Sequence, residues 1–379
     1  MGIISSTVDR LLHTTAEHWG RRPTQRATEM HRRLSVVDLV VGTALFRASL
    51  LEPAGRGHVD LPRLQAAGLN VVGLTIATRF PDLRGTLSAH HFRSLGAPRS
   101  ALNSNMAIAE WLITRIAGWC EASAGRLRLL LTRADLEACL RHEGPLGVFI
   151  GVQGGHTLEG QLVNVERLRR LGVRMLAPAH VMDNDFVGSG TGRQKRGLSG
   201  LGRELVAELE QQRLLVDLAH MSAAGIEQSL ALVGRPPVLS HTGLARHSGR
   251  PSRLRRYSPA TRNAPDWVVR EVGRAGGVVG IVLSTQLLGG ETIEQAVASF
   301  VSALELAGSA GVAIGSDMDG GLRMVLDAGG LPLLTDGLLS AGVSEQVVGG
   351  VLGGNALRVL SGSLEPGGTR GRSREVKAG

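Results

Sequence analysis

The sequence predicts a (β/α)8 barrel, the TIM-barrel architecture, on three observations. Eight short apolar runs rich in β-branched residues are typical of buried strands. Segments with apolar residues spaced near 3.6 lie between these runs and predict helices. The series occupies roughly 330 residues of the chain, which suits one large α/β domain. An open, doubly wound sheet is the alternative, but no G-x-G-x-x-G motif follows an early strand.

The predicted strands recur in order along the chain. They are expected at 35–41, 70–77, 146–152, 173–178, 214–219, 237–240, 277–283 and 312–316. The intervening helices are clearest where apolar residues recur on one helical face, at 162–172, 201–212 and 293–307.

The barrel is expected to span residues 34–360. Residues 1–33 form a polar N-terminal extension that is predicted to add a helix. Residues 78–143 are a long helical insertion between the second and third strands, with helices expected at 104–120 and 132–141. Residues 361–379 are rich in Gly and Arg without periodicity, so they are predicted to be a disordered tail.

Composition and charge limit the class of protein. With 43% hydrophobic and 20% charged residues, the chain resembles an ordinary globular protein. No long apolar run predicts a membrane span, and no secretory signal is apparent. Two cysteines, Cys120 and Cys139, cannot build a disulfide framework, so a cytoplasmic location is expected. The net charge of +9 is interpreted as solvated surface arginine, because only 3% of the residues are aromatic and nucleic-acid binding is not expected.

Polar side chains follow five of the predicted strands where those strands end. They are Gln153, His180, His220, His241 and Asp317. In a (β/α)8 barrel such strand ends meet at one mouth, where catalytic residues lie. Imidazoles together with a carboxylate suit zinc or another divalent metal, with a bound water as the nucleophile. The neutral amide of Gln153 is unexpected in such a set, because it is a poor base, acid or metal bridge.

Three segments resemble motifs of the membrane (renal) dipeptidase family of zinc metallopeptidases. They are V-D-L-A-H-M-S (216–222), P-V-L-S-H-T-G (237–243) and A-I-G-S-D-M-D-G (313–320). Further segments match in the same order, among them G-G-H-T-L-E-G (154–160), A-T-R-N-A-P-D (260–266) and G-G-N-A-L-R-V-L (353–360). The resemblance covers about residues 34–360. It implies an amidohydrolase-type barrel, a dipeptide-like substrate and, as the expected assembly, a homodimer.

The resemblance also implies roles for individual residues. His220 and His241 match the histidines that hold a metal, and Asp317 matches the aspartate that ends the last strand. His180 matches a substrate-binding histidine. Arg262 matches the arginine that holds the terminal carboxylate of the substrate, a bidentate contact for which guanidinium is suited. The catalytic positions are accordingly Asp317 and the residue at position 153.

The sequence departs from the family pattern at three places. The family segment D-G-H-N-D is here D-L-V-V-G, so Asp38 is kept while Val40 and Gly42 replace the His and Asp ligands. Gln153 replaces the glutamate that bridges the two zinc ions in the family. The nearby His58-Val59-Asp60 imitates a His-x-Asp pair, but the family carries that segment separately, and two residues opening a helix are the preferred interpretation.

These departures predict at most one zinc ion. Two dications roughly 3.5 Å apart repel by about 19 kcal/mol at an effective dielectric of 20. Of the three carboxylates that offset this repulsion in the family, Asp317 remains, with Asp319 nearby as an extra candidate. A single ion on His220, His241 and Asp317, completed by Gln153 or water, and a site without metal both stay open.

Three functions are compatible with this pattern. The first is a metallohydrolase that cleaves peptide or amide bonds in dipeptide-like substrates, more weakly than intact family members. The second is a catalytically inactive homologue, a pseudoenzyme, that binds a small carboxylate-bearing ligand. The third is another chemistry on the same barrel. Replacing Val40 by His, Gly42 by Asp and Gln153 by Glu is expected to rebuild a second metal site.

Overall fold

The structure is a computed structural model that describes residues 13–16, 21–79, 88–248 and 259–366. Within these ranges one sheet has nine strands, and all of its named strand pairs are parallel. The strands are β1 (Val36–Val41), β2 (Leu69–Ala77), β3 (Leu127–Leu129), β4 (Leu146–Gln153), β5 (Val173–Ala177), β6 (Leu215–Val216), β7 (Val238–Thr242), β8 (Val278–Ile281) and β9 (Val312–Ile314).

The sheet is a closed (β/α)8 barrel, as the sequence predicts. Its strand order is β6-β5-β4-β2-β1-β9-β8-β7. A parallel bridge between Asp217 and Val238 joins the two ends of this series, so β6 also lies beside β7. All eight predicted strands are present, with boundaries that differ by a few residues.

Strand β3 was not predicted. It lies in the insertion at 78–143, where only helices were expected, and pairs with Leu146–Val148 at the start of β4. Strand β5 pairs with the later part of β4, from Ile150 onward, and so leaves the start of β4 open to β3. A three-residue strand is too short for its periodicity to be recognised in a sequence.

Helices alternate with the barrel strands. The α-helices of the described residues are Gln25–Arg33, Thr43–Phe46, Leu61–Ala66, Ser88–Ser94, Asn105–Ala122, Arg133–Cys139, Val163–Arg170, Gly200–Gln211, Ala223–Leu230, Pro259–Arg262, Asp266–Arg274, Thr285–Leu288, Ile293–Ala307, Leu331–Ser340, Glu345–Gly349 and Asn355–Leu360. Single 3-10 turns lie at Arg99–Leu102, Gly155–Leu158, Ala245–His247, Ala328–Gly330 and Ser361–Ser363, and a π-helical turn at Gly350–Gly354.

The tail predicted to be disordered lies outside the described residues from 367 onward, as do residues 1–12 of the predicted N-terminal extension. None of the described helices is long and apolar enough to cross a membrane.

Each of the eight barrel strands contributes at least one apolar side chain to a single buried cluster. The contributions include Val37, Val71, Phe149, Met175, Leu215, Val238, Val278 and Ala313. Since every strand contributes, this cluster fills the barrel interior, which is therefore a packed core and not a pore. Ala356, Val359 and Leu360 of the last α-helix join the same cluster. A larger apolar cluster lies between the barrel and its helices.

Two seams of the barrel have little backbone pairing. Strands β1 and β9 share one Cα pair, Asp38 with Ile314, and an isolated bridge joins Val41 to Met318 just beyond it. Strands β6 and β7 are joined by the isolated bridge at Asp217. In both seams a buried aspartate makes one of the pairs, and its side chain accepts hydrogen bonds from the neighbouring chain segment. The two seams meet the same mouth of the barrel, at the C-terminal ends of the strands.

Candidate active site

Three of the predicted histidines are in contact at the mouth of the barrel. Nε2 of His220 lies 2.9 Å from Nε2 of His241. The ring of His180 packs edge-on against His220, with the ring centroids 4.7 Å apart. Burial lowers the pKa of His220 and His241 well below the ordinary value, and the charge of Arg262 lowers both further. Neutral imidazoles are the form that binds a metal ion.

The orientation of His241 is set by two residues of the β6–β7 seam. Ser240 Oγ donates to Asp217 Oδ2 at 2.6 Å and lies 2.9 Å from Nδ1 of His241. The backbone N–H groups of Ser240 and Ala219 also donate to Asp217, each at 3.0 Å. Burial raises the pKa of Asp217, and these hydrogen bonds act in the opposite direction.

His220 is held in an uncommon backbone conformation. Its φ of +64° lies in the left-handed region, which is unfavourable for a residue with a side chain. The next helix begins immediately afterwards, since Ser222 caps Ala223–Leu230 by accepting from Gly225 N–H. Asp317, at the end of β9, has a similar φ of +60°. Strained residues of this kind cluster at functional sites, so their presence at two strand ends supports a site here.

Arg262 and His180 form the wall beside these imidazoles. Nη2 of Arg262 donates to the carbonyl of His241 at 2.8 Å and lies 3.4 Å from Nε2 of His220. The Nε of Arg262 is buried without a hydrogen-bond partner in the described part of the chain. Nδ1 of His180 lies 3.4 Å from the carbonyl of Arg79 and is the donor in this long hydrogen bond. Burial lowers the pKa of His180 to about 3, so this ring is also neutral.

Gln153 is the last residue of β4 and Asp317 follows β9 by three residues, but among the described residues neither side chain forms a hydrogen bond to the imidazole pair. Burial raises the pKa of Asp317 to about 7, while the guanidinium of Arg262 lowers it. The carboxyl group lies against Gly320, because a Cβ at that position would overlap with Oδ1 of Asp317. Gln153 is the last residue of β4 and is 7% exposed. The next residue, Gly154, lies against His180, because a Cβ at this position would be 3.2 Å from the Cβ of His180.

The β1 side of the mouth is filled by the protein itself. Val40 is buried and belongs to the same apolar cluster as the barrel interior. Gly42 has an ordinary φ of −90°, but a Cβ there would lie 2.7 Å from the carbonyl oxygen of Asp319 and 2.8 Å from Cα of Gly320. Its N–H also donates to the carbonyl of Met318 at 2.8 Å. The backbone after β9 therefore occupies the space into which a side chain at position 42 would extend.

Asp319, the additional candidate ligand predicted from the sequence, is hydrogen-bonded and ion-paired to neighbouring groups of the protein. It accepts from Thr43 Oγ1 at 3.0 Å and from the N–H of His58 at 2.8 Å, and it pairs with Arg47 Nε at 3.1 Å. Burial raises the pKa of Asp319, but its hydrogen bonds and charged neighbours overcome this and hold it well below the usual range.

The His58-Val59-Asp60 segment opens a helix, as expected. The side chain of Asp60 caps Leu61–Ala66 by accepting from Arg63 N–H. Nδ1 of His58 accepts from the N–H of Asp319 at 3.0 Å, and its Nε2 contacts the carbonyl of Thr14. Both ring nitrogens of His58 are thus engaged with the protein.

Two donor nitrogens lie together on the β6–β7 side, whereas positions 40 and 42 on the β1 side carry no side chain that could bind a metal ion. Two neutral imidazoles present adjacent Nε2 atoms, which are common zinc ligands. Val40 and Gly42 supply no donor atom. In the described ranges no group of three or more His, Cys, Asp or Glu side chains is arranged to hold a metal ion. A third protein ligand would therefore require Asp317 to approach the two imidazoles.

The hydrogen-bonded residues of the two seams are not evident as a group from the sequence. Asp217, Ser240 and Ser316 have no predicted role, and Asp38 is identified only as a residue that the family pattern retains. A signal was present, because both aspartates interrupt apolar strands in the same tripeptide, V-D-L, at 37–39 and 216–218. A charged residue inside a buried strand is almost always paired, so its partners can be sought.

Comparison with known proteins agrees with this geometry. The family model described as membrane dipeptidase (peptidase family M19) matches residues 24–365. A curated relative, the dipeptidase verJ of Clonostachys rogersoniana, is 29% identical over 313 residues, which cover 80% of this chain and 75% of that protein.

Two solved structures share the fold. A metallo peptidase from Rhodobacter sphaeroides, liganded with a phosphinate mimic of the dipeptide L-Ala-D-Ala, has a TM-score of 0.72 at 23% identity, covering 87% of this chain and 99% of that one. The probable dipeptidase PvdM from Pseudomonas aeruginosa has a TM-score of 0.74 at 17% identity, covering 89% of this chain and 98% of that one. At these identities the likeness is one of fold.

Proposed function

The chain belongs to the membrane dipeptidase family, peptidase family M19, and on that premise we propose that it hydrolyses the peptide or amide bond of a dipeptide-like substrate with a single metal ion. The observation that carries this proposal is the pair of neutral imidazoles, His220 and His241, with Nε2 atoms 2.9 Å apart. We assign His220, His241 and Asp317 as the ligands of that ion, with zinc as the expected metal.

The ion, when bound, supplies a Lewis acid and lowers the pKa of a water molecule so that it becomes a nucleophile. The protein provides the binding and the orientation of the substrate. Arg262 is fixed by its hydrogen bond to the carbonyl of His241, and its buried Nε lacks a protein partner among the described residues. A guanidinium held in this way is suited to the terminal carboxylate of a peptide.

His180 supports the recognition of an N–H group of the substrate. A carbonyl oxygen can only accept, so Nδ1 of His180 carries the proton that points to Arg79. The other ring nitrogen, Nε2, is therefore an acceptor. Because burial keeps this ring neutral, it does not repel Arg262. Gln153, at the end of β4, would offer an amide that orients substrate or water and does not bridge two ions.

Metal analysis and turnover test this proposal together. The chain is purified without chelators, its zinc content is measured, and hydrolysis of a panel of dipeptides is followed. We expect about one zinc ion per chain and turnover weaker than that of the family's binuclear members. His220→Ala should abolish both zinc binding and turnover. Two zinc ions per chain would contradict the single-ion assignment, and turnover unchanged in His220→Ala would contradict the site.

A second candidate function is ligand binding without catalysis. It is favoured by one observation, namely that the described residues contain no ready-made group of three metal ligands. Arg262 and His180 would then hold a small carboxylate-bearing molecule. Calorimetry with dipeptides in the presence of a chelator distinguishes the two functions, since only the binding protein should retain full affinity without metal. A cytoplasmic location, a homodimer and the absence of nucleic-acid partners remain predictions.

A further inference from the structure

Asp217, Ser240 and His241 form a continuous buried chain of hydrogen bonds that ends at the active site. Ser240 Oγ lies 2.6 Å from Asp217 Oδ2 and 2.9 Å from His241 Nδ1. Asp217 and Ser240 are fully buried, and His241 is 1% exposed. The chain thus connects a carboxylate in the barrel wall to an imidazole whose Nε2 faces His220.

The available protons fix the direction of this chain. Asp217 Oδ1 accepts the backbone N–H groups of Ser240 and Ala219. The single hydroxyl proton of Ser240 is donated to the other oxygen, Oδ2. Ser240 Oγ can therefore only accept from His241, which requires the proton of that ring to be on Nδ1. Nε2 of His241 is then left as a lone pair, and Nε2 of His220, 2.9 Å away, carries the proton of that contact while no metal is bound.

We propose that Asp217 and Ser240 are positioning residues that hold His241 in the Nδ1–H tautomer, so that its Nε2 is permanently ready to bind a metal ion. The role in metal binding rests on the function proposed above, whereas the tautomer is a property of the protein alone. A hydrogen bond to the second ring nitrogen of a metal-binding histidine fixes its tautomer and orientation. Here that bond passes through a serine hydroxyl to a buried carboxylate.

The other barrel seam shows that such a contact is not needed for the fold. At the β1–β9 seam Asp38 accepts the N–H groups of Val40 and Ser316 and the hydroxyl of Ser316. These are the donors that Asp217 receives, at equivalent places. The hydroxyl of Ser316, however, accepts from the backbone N–H of Met318 and is hydrogen-bonded to no imidazole of the described residues. The link to a histidine is thus an addition that occurs at one of the two seams.

Asp217→Asn tests the proposal, with Asp38→Asn as the matched control. In either variant the two backbone N–H groups keep the amide oxygen in the Oδ1 position, so the amide NH2 faces the serine hydroxyl. At position 217 the serine must then accept from the amide and donate its own proton to Nδ1 of His241. The imidazole proton moves to Nε2, from which it must be displaced before a metal ion can bind. At position 38 no imidazole is affected.

Two readouts are measured on each variant. Nitrogen-15 NMR of the metal-free protein reports the tautomer of His241, and calorimetry with zinc reports affinity. We expect an Nδ1–H tautomer in the native protein and in Asp38→Asn, and an Nε2–H tautomer in Asp217→Asn. Zinc affinity should fall about 10- to 100-fold in Asp217→Asn and change less than about twofold in Asp38→Asn.

Ser240→Ala and Ser240→Thr provide a second pair that does not depend on the asparagine variants folding. Removing the hydroxyl should let both tautomers of His241 be populated, and the threonine hydroxyl should restore the native one. An Nε2–H tautomer in the native protein, or an unchanged tautomer in both Asp217→Asn and Ser240→Ala, would overturn the proposal. If the native protein binds no zinc, the proposed metal function fails, while the NMR result still decides the positioning role.

Discussion

The β6–β7 and β1–β9 seams contain the same arrangement of a hydrogen-bonded aspartate and serine, but different residues lie beside it at the mouth of the barrel. In each, an aspartate from a V-D-L tripeptide accepts two backbone N–H groups and the hydroxyl of a serine on the neighbouring strand. Beyond the β6–β7 seam lie His220 and His241, with their Nε2 atoms together. Beyond the β1–β9 seam lie Val40, which is part of the apolar core, and a glycine against backbone.

This difference separates what the barrel needs from what the chemistry needs. Both seams have little backbone pairing, so the buried carboxylates replace ladder hydrogen bonds and join the strands. The pair of adjacent imidazoles, His220 and His241, is an additional feature that occurs beside one seam. The two seams can therefore be perturbed separately. The largest effects are expected where larger side chains are introduced at the β1–β9 seam, because the space there is already filled.

The triple replacement of Val40 by His, Gly42 by Asp and Gln153 by Glu should fail to rebuild a second metal site. The Asp side chain would begin 2.7 Å from the carbonyl of Asp319, and the new imidazole would enter the apolar cluster around Val40. Overpacking and burial of polar groups together should cost about 5 kcal/mol or more of folding free energy. Thermal unfolding with and without zinc measures this.

The single variant Gly42→Ala is the control for steric overlap alone. Because it adds only the Cβ, it should be destabilised by about 1–3 kcal/mol without any change of charge. A triple variant that folds and binds two zinc ions would show that the β1–β9 seam opens readily, and the comparison of the two seams would lose its basis. This expectation reverses the one drawn from the sequence, because the backbone that lies against Gly42 is visible only in the structure.

The fold was largely predictable from the sequence, because eight apolar runs and the helices between them are local signals. The meeting of His180, His220 and His241 was also predictable, since these residues follow strands whose ends must converge. The closure at Gly42 could not be predicted, because it depends on residues 318–320, which are distant in the sequence. The role of Ser240 was hidden for a similar reason, as its partner Asp217 is on another strand.

Asp319→Ala should be the next most disruptive change, and it should leave metal binding intact. It would leave Arg47 inside the protein without the carboxylate that it now contacts at 3.1 Å. Removing one member of a buried ion pair costs about 3–5 kcal/mol. Urea unfolding should show that loss, while the zinc affinity stays within about twofold of the native value. A large loss of zinc affinity with little loss of stability would mean that Asp319 is a metal ligand.

Asp38→Asn and Asp217→Asn should destabilise the barrel to a similar extent, and each should have a smaller effect than Asp319→Ala. Each keeps the two backbone hydrogen bonds on its amide oxygen and loses the charge-assisted bond to a serine hydroxyl, a loss of about 1–3 kcal/mol. Equilibrium unfolding by urea compares the two directly. If Asp217→Asn were much more destabilising than Asp38→Asn, the two seams would not be structurally equivalent, and the link to His241 would itself be contributing to stability.

Gln153→Glu should have the smallest effect on stability and is the most direct test of how many ions the mouth can hold. Glutamate has nearly the same shape as glutamine, so the end of β4 should accept it for less than about 1 kcal/mol. Burial raises the pKa of a carboxyl group, so the new side chain can remain neutral until a metal ion favours its charged form. Zinc should then bind about tenfold more tightly, since an anionic ligand has been added, but the stoichiometry should remain one ion per chain.

The number of bound ions is limited on the β1 side of the mouth. Val40 offers no ligand there, and the backbone after β9 fills the space into which a side chain at position 42 would extend. Titration of metal-free Gln153→Glu with zinc gives affinity and stoichiometry together, and two ions bound by this single variant would refute the closure of the β1–β9 seam.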